Sequence, residues 1–375
     1  MKIVQAMRTK DGVWQQKGQQ ELQQPLVLVF GDRSLLEDKE VYKEVRHRFP
    51  TGNLVFGSTS GEIMYSQVRE ETLSVTAIEF EFSNYTIASA NCKDFDSIQG
   101  LGAKLASELK QEGLAHVFVV SDGSLVNGSG LIEGLDNQIK GNIPITGGLC
   151  GDGTLFEKTL SSYNEIPKEG NVIAIGFYGE QLEVTYASNG GWTPFGPERT
   201  ITKSDGNVLF EIDGQPALNL YKTYLGEKAN ELPQAALLYP LSLQETDGSK
   251  PLVRTILNID EGANSMILAG DVPVGSKVQL MMSTTDDIAN GAASAAVAAM
   301  TGRVSKPQLA ILVSCVGRKL VLDQRTEEEI EEVVEVIGDQ ASVTGFYSYG
   351  EMAPFSDSNR CRLHNQTMTL TLISE

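Results

Sequence analysis

The chain has 375 residues, of which 41% are hydrophobic and 21% are charged, and its formal net charge is -19. This length and composition predict a soluble globular protein with more than one core, and two domains are the natural expectation. The strong negative charge disfavours binding to nucleic acid or to an acidic membrane, because like charges repel and no basic cluster offsets them.

Two further features bear on the compartment in which the protein works. No apolar run reaches the roughly 18 residues needed to cross a bilayer, and the residues after Met1 lack the apolar core of a secretory signal. Four cysteines are widely scattered along the chain, a pattern typical of reduced intracellular proteins: Cys92, Cys150, Cys315 and Cys361. The sequence therefore predicts a cytoplasmic protein without membrane insertion and without a structural disulfide.

A pattern of aliphatic strand, helix, short strand and glycine loop recurs three times. The three copies have strands over 26–30 and 54–56, 117–120 and 143–146, and 309–313 and 342–344, with helices over 35–48, 131–139 and 327–337. Each loop closes on a glycine followed by an acid, in Gly61-Glu62, Gly151-Asp152 and Gly350-Glu351. Apolar runs that alternate with helices predict an α/β fold with mixed sheets, built from repeated strand-helix-strand-loop units.

The segment between the second and third copies differs in pattern. Strands over 172–177 and 182–186 resemble a β-meander, and Pro and Gly predict a turn-rich crossover over 190–197. A helix over 217–225 follows Pro216, and helices over 97–110 and 286–300 precede the strands of the second and third copies. We therefore expect an arm over 1–24, one domain over 25–218 and a second over 219–375.

The glycine loops are candidate ligand sites, because backbone N–H groups at a strand exit can cradle an anion or a carboxylate. Gly148 and Asp152 are the candidates in the second loop. Glu351 is the leading candidate in the third, since Tyr347 and Tyr349 flank it with apolar faces and hydroxyl tips. The alternative is that the loop acids only brace neighbouring loops.

Three other residues are candidates for ligand contact. Arg318 follows a strand's carboxyl end and is placed either to clamp a carboxylate or to pair with an acid on the helix after it. Cys315 is either a reactive thiol beside a cation or a buried, inert one. Arg254 lies on a strand and faces either a cleft or solvent.

Seven stretches of the chain resemble the FIST family of sensory proteins, which have an N-terminal and a C-terminal FIST domain. They are Leu54–Glu62, Ile145–Asp152, Asn189–Pro197, Leu209–Ala217, Ser314–Arg318, Gly345–Glu351 and Leu363–Thr367. The resemblance implies an intracellular module that binds a small ligand, for which amino acids are the proposed class. The chain stops after the strand pattern over 368–373, so we expect its output to pass to a separate partner such as a histidine kinase or a chemoreceptor.

The resemblance also implies an alternative, because some members of the family are haem-based nitric-oxide sensors. His364 would then be the axial ligand, and without haem we expect no cofactor. Cys361 and His364 have C-x-x-H spacing, but residues three apart on a strand point to opposite faces, which disfavours zinc. The chain shows no convincing catalytic constellation, so we expect a non-catalytic sensor; an enzyme with Cys315 as its nucleophile is the remaining alternative.

Overall fold

The computed structural model describes residues 1–18, 21–140, 143–355 and 360–375. Within these residues, the strands form three six-stranded sheets and one eight-stranded sheet. Residues 19 and 20 of the predicted N-terminal arm lie outside the described residues.

The first unit is built around two buried parallel strands. Its elements are β1 (Lys2–Arg8), β2 (Trp14–Lys17), β3 (Leu26–Gly31), α1 (Arg33–Leu36), α2 (Lys39–Arg48), β4 (Asn53–Ser58), β5 (Glu62–Met64), β6 (Gln67–Arg69) and β7 (Leu73–Glu79). β3 and β4 are parallel, and β7 lies antiparallel on the other side of β3. The predicted arm is thus partly strand, since β1 pairs with β7.

The second unit repeats this order with an added helix before the parallel pair. Its elements are β8 (Asn84–Asn91), α3 (Ile98–Glu108), β9 (Leu114–Ser121), α4 (Gly128–Gln138), β10 (Ile145–Leu149), β11 (Ser161–Tyr163) and β12 (Asn171–Tyr178). β9 and β10 are parallel, and β12 is antiparallel to β9.

The third unit begins with β13 (Glu183–Asn189) and is then interrupted by the eight-stranded sheet. That sheet contains β14 (Thr193–Asp205), β15 (Val208–Ile212), β16 (Gln215–Pro216), β17 (Leu241–Gln244), β18 (Leu252–Arg254), β19 (Ile256–Asp260), β20 (Ser265–Leu268) and β21 (Lys277–Met282), with α5 (Ala217–Leu225) between β16 and β17.

The third unit resumes after this insertion. It continues with α6 (Thr285–Met300), β22 (Leu309–Cys315), α7 (Val316–Leu322), α8 (Glu328–Ile337), β23 (Ser342–Ser348), β24 (Gly350–Pro354), β25 (Cys361–His364) and β26 (Met368–Ser374). β22 and β23 are parallel, and β26 is antiparallel to β22. The three units therefore share one strand order, which confirms the repeated unit predicted from the sequence.

Each unit gives the strand after its glycine loop to the sheet of another unit. β11 of the second unit pairs with β4 of the first, β24 of the third pairs with β10 of the second, and β5 of the first pairs with β23 of the third. The exchange closes a ring of three units. β13 and β26 also pair across residue 218, so hydrogen-bonded sheets span the predicted domain boundary.

The central strands are apolar throughout because both of their faces are buried. Alternate residues of β3, such as Leu26 and Leu28, pack in a cluster that also holds Phe118 and Ile311 of the other two units. The intervening residues, such as Val27, pack in the cluster that also holds the side chains of α1 and α2. The three sheets thus meet at the centre of the ring, and the helices cover their outer faces.

Two predictions for the segment after the second unit were wrong. β12 and β13 belong to different sheets and do not form a meander. The predicted crossover over 190–197 includes the start of β14, where Pro194 lies opposite Met281. The register breaks between Phe195 and Arg199, so an irregular strand accommodates the prolines that would interrupt a regular ladder.

Candidate ligand-binding site

The three glycine loops meet where the parallel strands end. Backbone hydrogen bonds join each loop to the next: Gly151 N to Ser58 O at 3.0 Å, Ser60 N to Tyr347 O at 2.8 Å, Tyr347 N to Gly61 O at 2.8 Å and Tyr349 N to Leu149 O at 3.1 Å. Three interfaces between units result, each made of one unit's strand-to-helix link and the next unit's glycine loop.

Two of the loop acids occupy equivalent, fully buried positions. Glu62 accepts hydrogen bonds from the Thr59 hydroxyl and from the amide and hydroxyl of Thr72. Glu351 accepts them from the Ser348 hydroxyl and from the amide and hydroxyl of Thr367. Burial raises the pKa of each carboxyl group to about 8. Both acids brace their loops, as the alternative reading of the sequence predicts.

Asp152 is not the equivalent of these two glutamates. Strand register places Glu351 opposite Gly148 and Ser161 opposite Gly57, so Ser161 takes the glutamate position in the second unit. The sequence pattern missed this because the second loop is longer before its exchanged strand. Asp152 instead holds that longer loop, accepting from the amides of residues 156, 157 and 158 and from the Tyr349 hydroxyl.

Arg318 pairs with an acid on the following helix, which is the second of the two roles predicted for it. Its Nη2 and Nε lie 2.7 and 2.9 Å from the Glu329 carboxylate, and its remaining bonds go to the carbonyls of Gly190 and Ile288. Glu329 also accepts from the hydroxyls of Ser314 and Tyr347. Arg318 and Tyr347 are therefore fully engaged within the protein, and neither side chain is available to a ligand in this conformation.

Cys315 and Gly148 are also buried within the fold. Burial raises the pKa of the Cys315 thiol, so the reactive thiolate is disfavoured. A Cβ added to Gly148 would lie 2.6 Å from Val313 Cγ1, so this glycine allows two sheets to pack closely. These positions favour packing roles over direct contact with a ligand.

His364 lies on β25 and is only 4% exposed. Its Nε2 is 3.0 Å from the Ala353 carbonyl, and Phe355 packs edge-on against the ring. Burial lowers the pKa of the imidazole to about 4. A haem could reach Nε2 only by displacing Ala353, so this placement gives no support to haem binding, which stays a prediction of the resemblance.

Of the predicted candidates, Tyr349 lines a large cavity, at the interface between the second and third units. This Tyr349 cavity has a volume of about 480 Å³ and lies at the carboxyl ends of β9 and β10. Its walls are the link 123–128, Leu149, Phe156, Glu157, Tyr349 and Leu363, and its roof comes from the eight-stranded sheet through Asn207, Leu257, Asn258 and residues 268–270.

Apolar side chains and a helix terminus give this cavity its chemistry. Phe156 and Tyr349 stack with ring centroids 4.6 Å apart, and Phe156 is 36% exposed. α4 begins at Gly128 on the cavity wall, and the Asn127 side chain caps the amide of Gly130. The unpaired N–H groups of a first helical turn attract an anion or a carboxylate.

The other two interfaces between units differ from this one. At the interface of the third and first units, a cavity of about 500 Å³ is lined by several acids, including Glu62 and Glu70, and by Lys319. At the interface of the first and second units, Arg33 pairs with Asp152 at 3.0 Å and Lys158 pairs with Glu37 at 3.2 Å. Ion pairs thus cross this interface.

The sequence did not identify Phe156, the link 123–128 or the roof residues as site residues. Phe156 has a positive φ of 55°, which is uncommon for an aromatic residue, but the sequence does not predict this backbone conformation. The Gly- and Ser-rich link between β9 and α4 was the available signal. Among the described residues, no group of three or more His, Cys, Asp or Glu side chains is arranged to hold a metal ion.

Comparisons with known proteins agree with this architecture. The model of the FIST N domain matches residues 25–215, and that of the FIST C domain matches residues 217–354. The uncharacterized protein MJ1623 of Methanocaldococcus jannaschii is 22% identical over 379 residues, which cover 90% of this chain and 70% of that protein. The uncharacterized protein Rv0628c of Mycobacterium tuberculosis is 25% identical over 256 residues, covering 64% of this chain and 63% of that protein. No helix in the described part of the chain is long and apolar enough to span a membrane.

Proposed function

We propose, since the chain belongs to the FIST family of sensory domains, that it is a signalling sensor whose small ligand occupies the Tyr349 cavity. The observation that carries this proposal is the cavity itself. It lies at the carboxyl ends of parallel strands, where α/β proteins commonly bind ligands, and a stacked aromatic pair forms part of its wall.

The cavity lining favours an amino acid with an aromatic or aliphatic side chain. The first turn of α4 suits the carboxylate, and Glu157, which also lies 3.5 Å from Arg33, suits the ammonium group. The apolar side chain then packs on Phe156 and Tyr349, near Leu149 and Leu363. The proposed ligand site is therefore the Tyr349 cavity, whereas the sequence pointed to Arg318 and Glu351.

A route from the ligand to the protein surface passes through the loop 152–158. Asp152 holds this loop, and the same carboxylate binds Arg33 at the start of α1. A ligand that moves Phe156 would therefore shift the contact between the first two units. For this to transmit a signal, the ligand must bind one of the two loop arrangements more tightly than the other. We propose that a separate histidine kinase or chemoreceptor component binds the resulting surface and so responds to the ligand.

Calorimetric titration against a panel of amino acids tests the proposal. Phe156→Ala removes half of the aromatic stack. It should lower the affinity for the amino acid at least about tenfold, or by about 1.4 kcal/mol. Phe82→Ala is the matched control, because Phe82 is 64% exposed and does not line this cavity. The proposal fails if no amino acid binds, or if Phe156→Ala binds it as tightly as Phe82→Ala and the wild type do.

A further inference from the structure

A smaller cavity adjoins the Tyr349 cavity and has a different chemistry. It has a volume of about 210 Å³ and lies between α4, β25 and the segment 271–273. The two cavities share Leu363, and the adjacent residues Gly270 and Asp271 line one cavity each. We call this second space the Arg254 cavity, because a buried arginine forms part of its wall.

Arg254 is only 3% exposed, yet no carboxylate among the described residues forms an ion pair with it. Its Nε donates to the Asp271 carbonyl at 3.3 Å, and its Nη1 donates to the carbonyls of Val253 at 3.3 Å and Leu363 at 2.8 Å. These acceptors are neutral. Arg318, which is equally buried, has the Glu329 carboxylate at 2.7 Å.

A buried guanidinium without a counter-ion is costly, because neutral carbonyls replace only part of its hydration. The cost is visible in the pKa of Arg254, which burial lowers to about 10. The three hydrogen bonds use Nε and Nη1, and Nη2 has no acceptor among the described residues. Among the described residues, Arg254 therefore has no directly paired carboxylate, only the more distant charges of Glu245 and Asp271, and its Nη2 has no acceptor.

The surrounding charges restrict which anion fits. Arg362 also lines the cavity, but Glu245 and Asp247 already pair with it at 3.4 and 3.0 Å. Glu133, Asp136 and Asp271 add negative charge to the wall, and Arg360, 3.9 Å from Asp136, adds a positive charge. A dianion would be repelled by these carboxylates, whereas a single negative charge can be balanced by Arg254.

We propose that the Arg254 cavity is a binding site for a small monocarboxylate, held by the Arg254 guanidinium. The planar guanidinium suits a planar carboxylate, and the limited volume admits only a small molecule. The site is separate from the Tyr349 cavity, so it does not depend on the proposed function. An anion here would also steady the contact of β18 with β25, because Arg254 binds the Leu363 carbonyl.

The site can be tested on the full chain labelled with ¹⁵N-arginine. Titration with acetate should shift the Nε–Hε resonance of Arg254 in a saturable way, whereas chloride at matched ionic strength should not. Arg254→Lys keeps the charge but loses the planar guanidinium group. It should lower the affinity for acetate, measured by calorimetry, at least about tenfold. Arg69→Lys is the control, since Arg69 is an exposed residue on β6.

Three results would overturn the proposal. One is an Arg254 resonance that does not respond to acetate, and this measurement needs no variant to fold. The second is sulfate, which is a dianion at neutral pH, binding as tightly as acetate, which would contradict the preference for a monoanion. The third is equal acetate affinity in wild type and Arg254→Lys, as expected if Arg254 only clamps the three carbonyls. Amino-acid binding in the Tyr349 cavity should persist in Arg254→Lys, so each proposal can fail separately.

Discussion

Glu62 and Glu351 occupy the same position in two units of the ring, each as the first or second residue of an exchanged strand and each bound to a threonine amide and hydroxyl. In the second unit Ser161 stands in that position, and its hydroxyl donates to the Asn171 carbonyl. The two glutamates tie each exchanged strand to the last strand of its own unit. They form part of the structure that holds the ring closed.

The buried glutamates should make stability depend on pH. The pKa of each is about 8 in the folded protein, against 4.5 when exposed, so between these values the folded protein keeps a proton that the unfolded chain has lost. Their contribution is therefore fully present below pH 4.5 and is lost as the pH rises through 8. Each site should lower the free energy of unfolding by about 1.4 kcal/mol per pH unit within this window.

Glu62→Gln and Glu351→Gln keep the shape of the protonated acid but cannot ionise. Each variant should gain stability relative to the wild type as the pH rises from about 5.5 to 8. Urea unfolding of all three proteins at several pH values measures this difference. Parallel pH profiles would show that the glutamates are already ionised in the folded protein.

Arg318 and Glu329 should behave as a buried ion pair rather than as a ligand clamp. Arg318→Leu leaves the Glu329 carboxylate uncompensated and should lower the free energy of unfolding by about 3–5 kcal/mol. The double variant Arg318→Leu/Glu329→Leu should recover part of this loss, because it removes both charges. Chemical unfolding gives the values, and a double variant less stable than the single one would contradict this account.

Asp152 should control the order of the loop that carries Phe156. Asp152→Asn removes the carboxylate that accepts from the amides of residues 156, 157 and 158 and pairs with Arg33. Hydrogen exchange at these amides should become faster by about tenfold or more, and amino-acid binding in the Tyr349 cavity should weaken.

Asp213→Asn is the matched control for this loop. Asp213 likewise accepts from a backbone amide, that of Thr200, and pairs with an arginine, Arg199, but it lies in the turn between β15 and β16 and does not line the cavity. Its substitution should leave exchange in the loop 152–158 unchanged. Equal protection of the loop in wild type and Asp152→Asn would show that other contacts hold it.

The two glycines of β10 should differ in the cost of adding a side chain. A Cβ on Gly147 would lie 2.0 Å from the Val119 carbonyl oxygen, and φ there is 142°, so Gly147→Ala should prevent folding or destabilise the protein severely. Gly148→Ala would bring its Cβ to 2.6 Å from the buried Val313 side chain rather than from backbone, and should cost about 1–3 kcal/mol. Gly262→Ala, whose Cβ would approach only Asp260, is the control. Thermal unfolding ranks the three, and equal midpoints would contradict the packing argument.

Much of the site lay beyond the reach of sequence reasoning. The sequence identified Tyr349 because it belongs to a tyrosine-rich glycine loop. It could not identify Phe156, since the contact with Tyr349 joins residues from two units through a strand exchange that no local pattern encodes. The sequence left two roles open for Arg318, to clamp a ligand carboxylate or to pair with an acid on the following helix. Only the position of Glu329 selects between them.

The sequence by itself determined the repeated strand-helix-strand unit, the glycine loops and the family, because each depends on local apolar periodicity and on backbone freedom at fixed positions. Tertiary structure alone decided that the units exchange strands in a ring, that Ser161 replaces a glutamate in the second unit, that ion pairs cross one interface, and that cavities lie at the other two. The physical reason is that pairing register and side-chain partners are set by long-range packing, which a single sequence does not display.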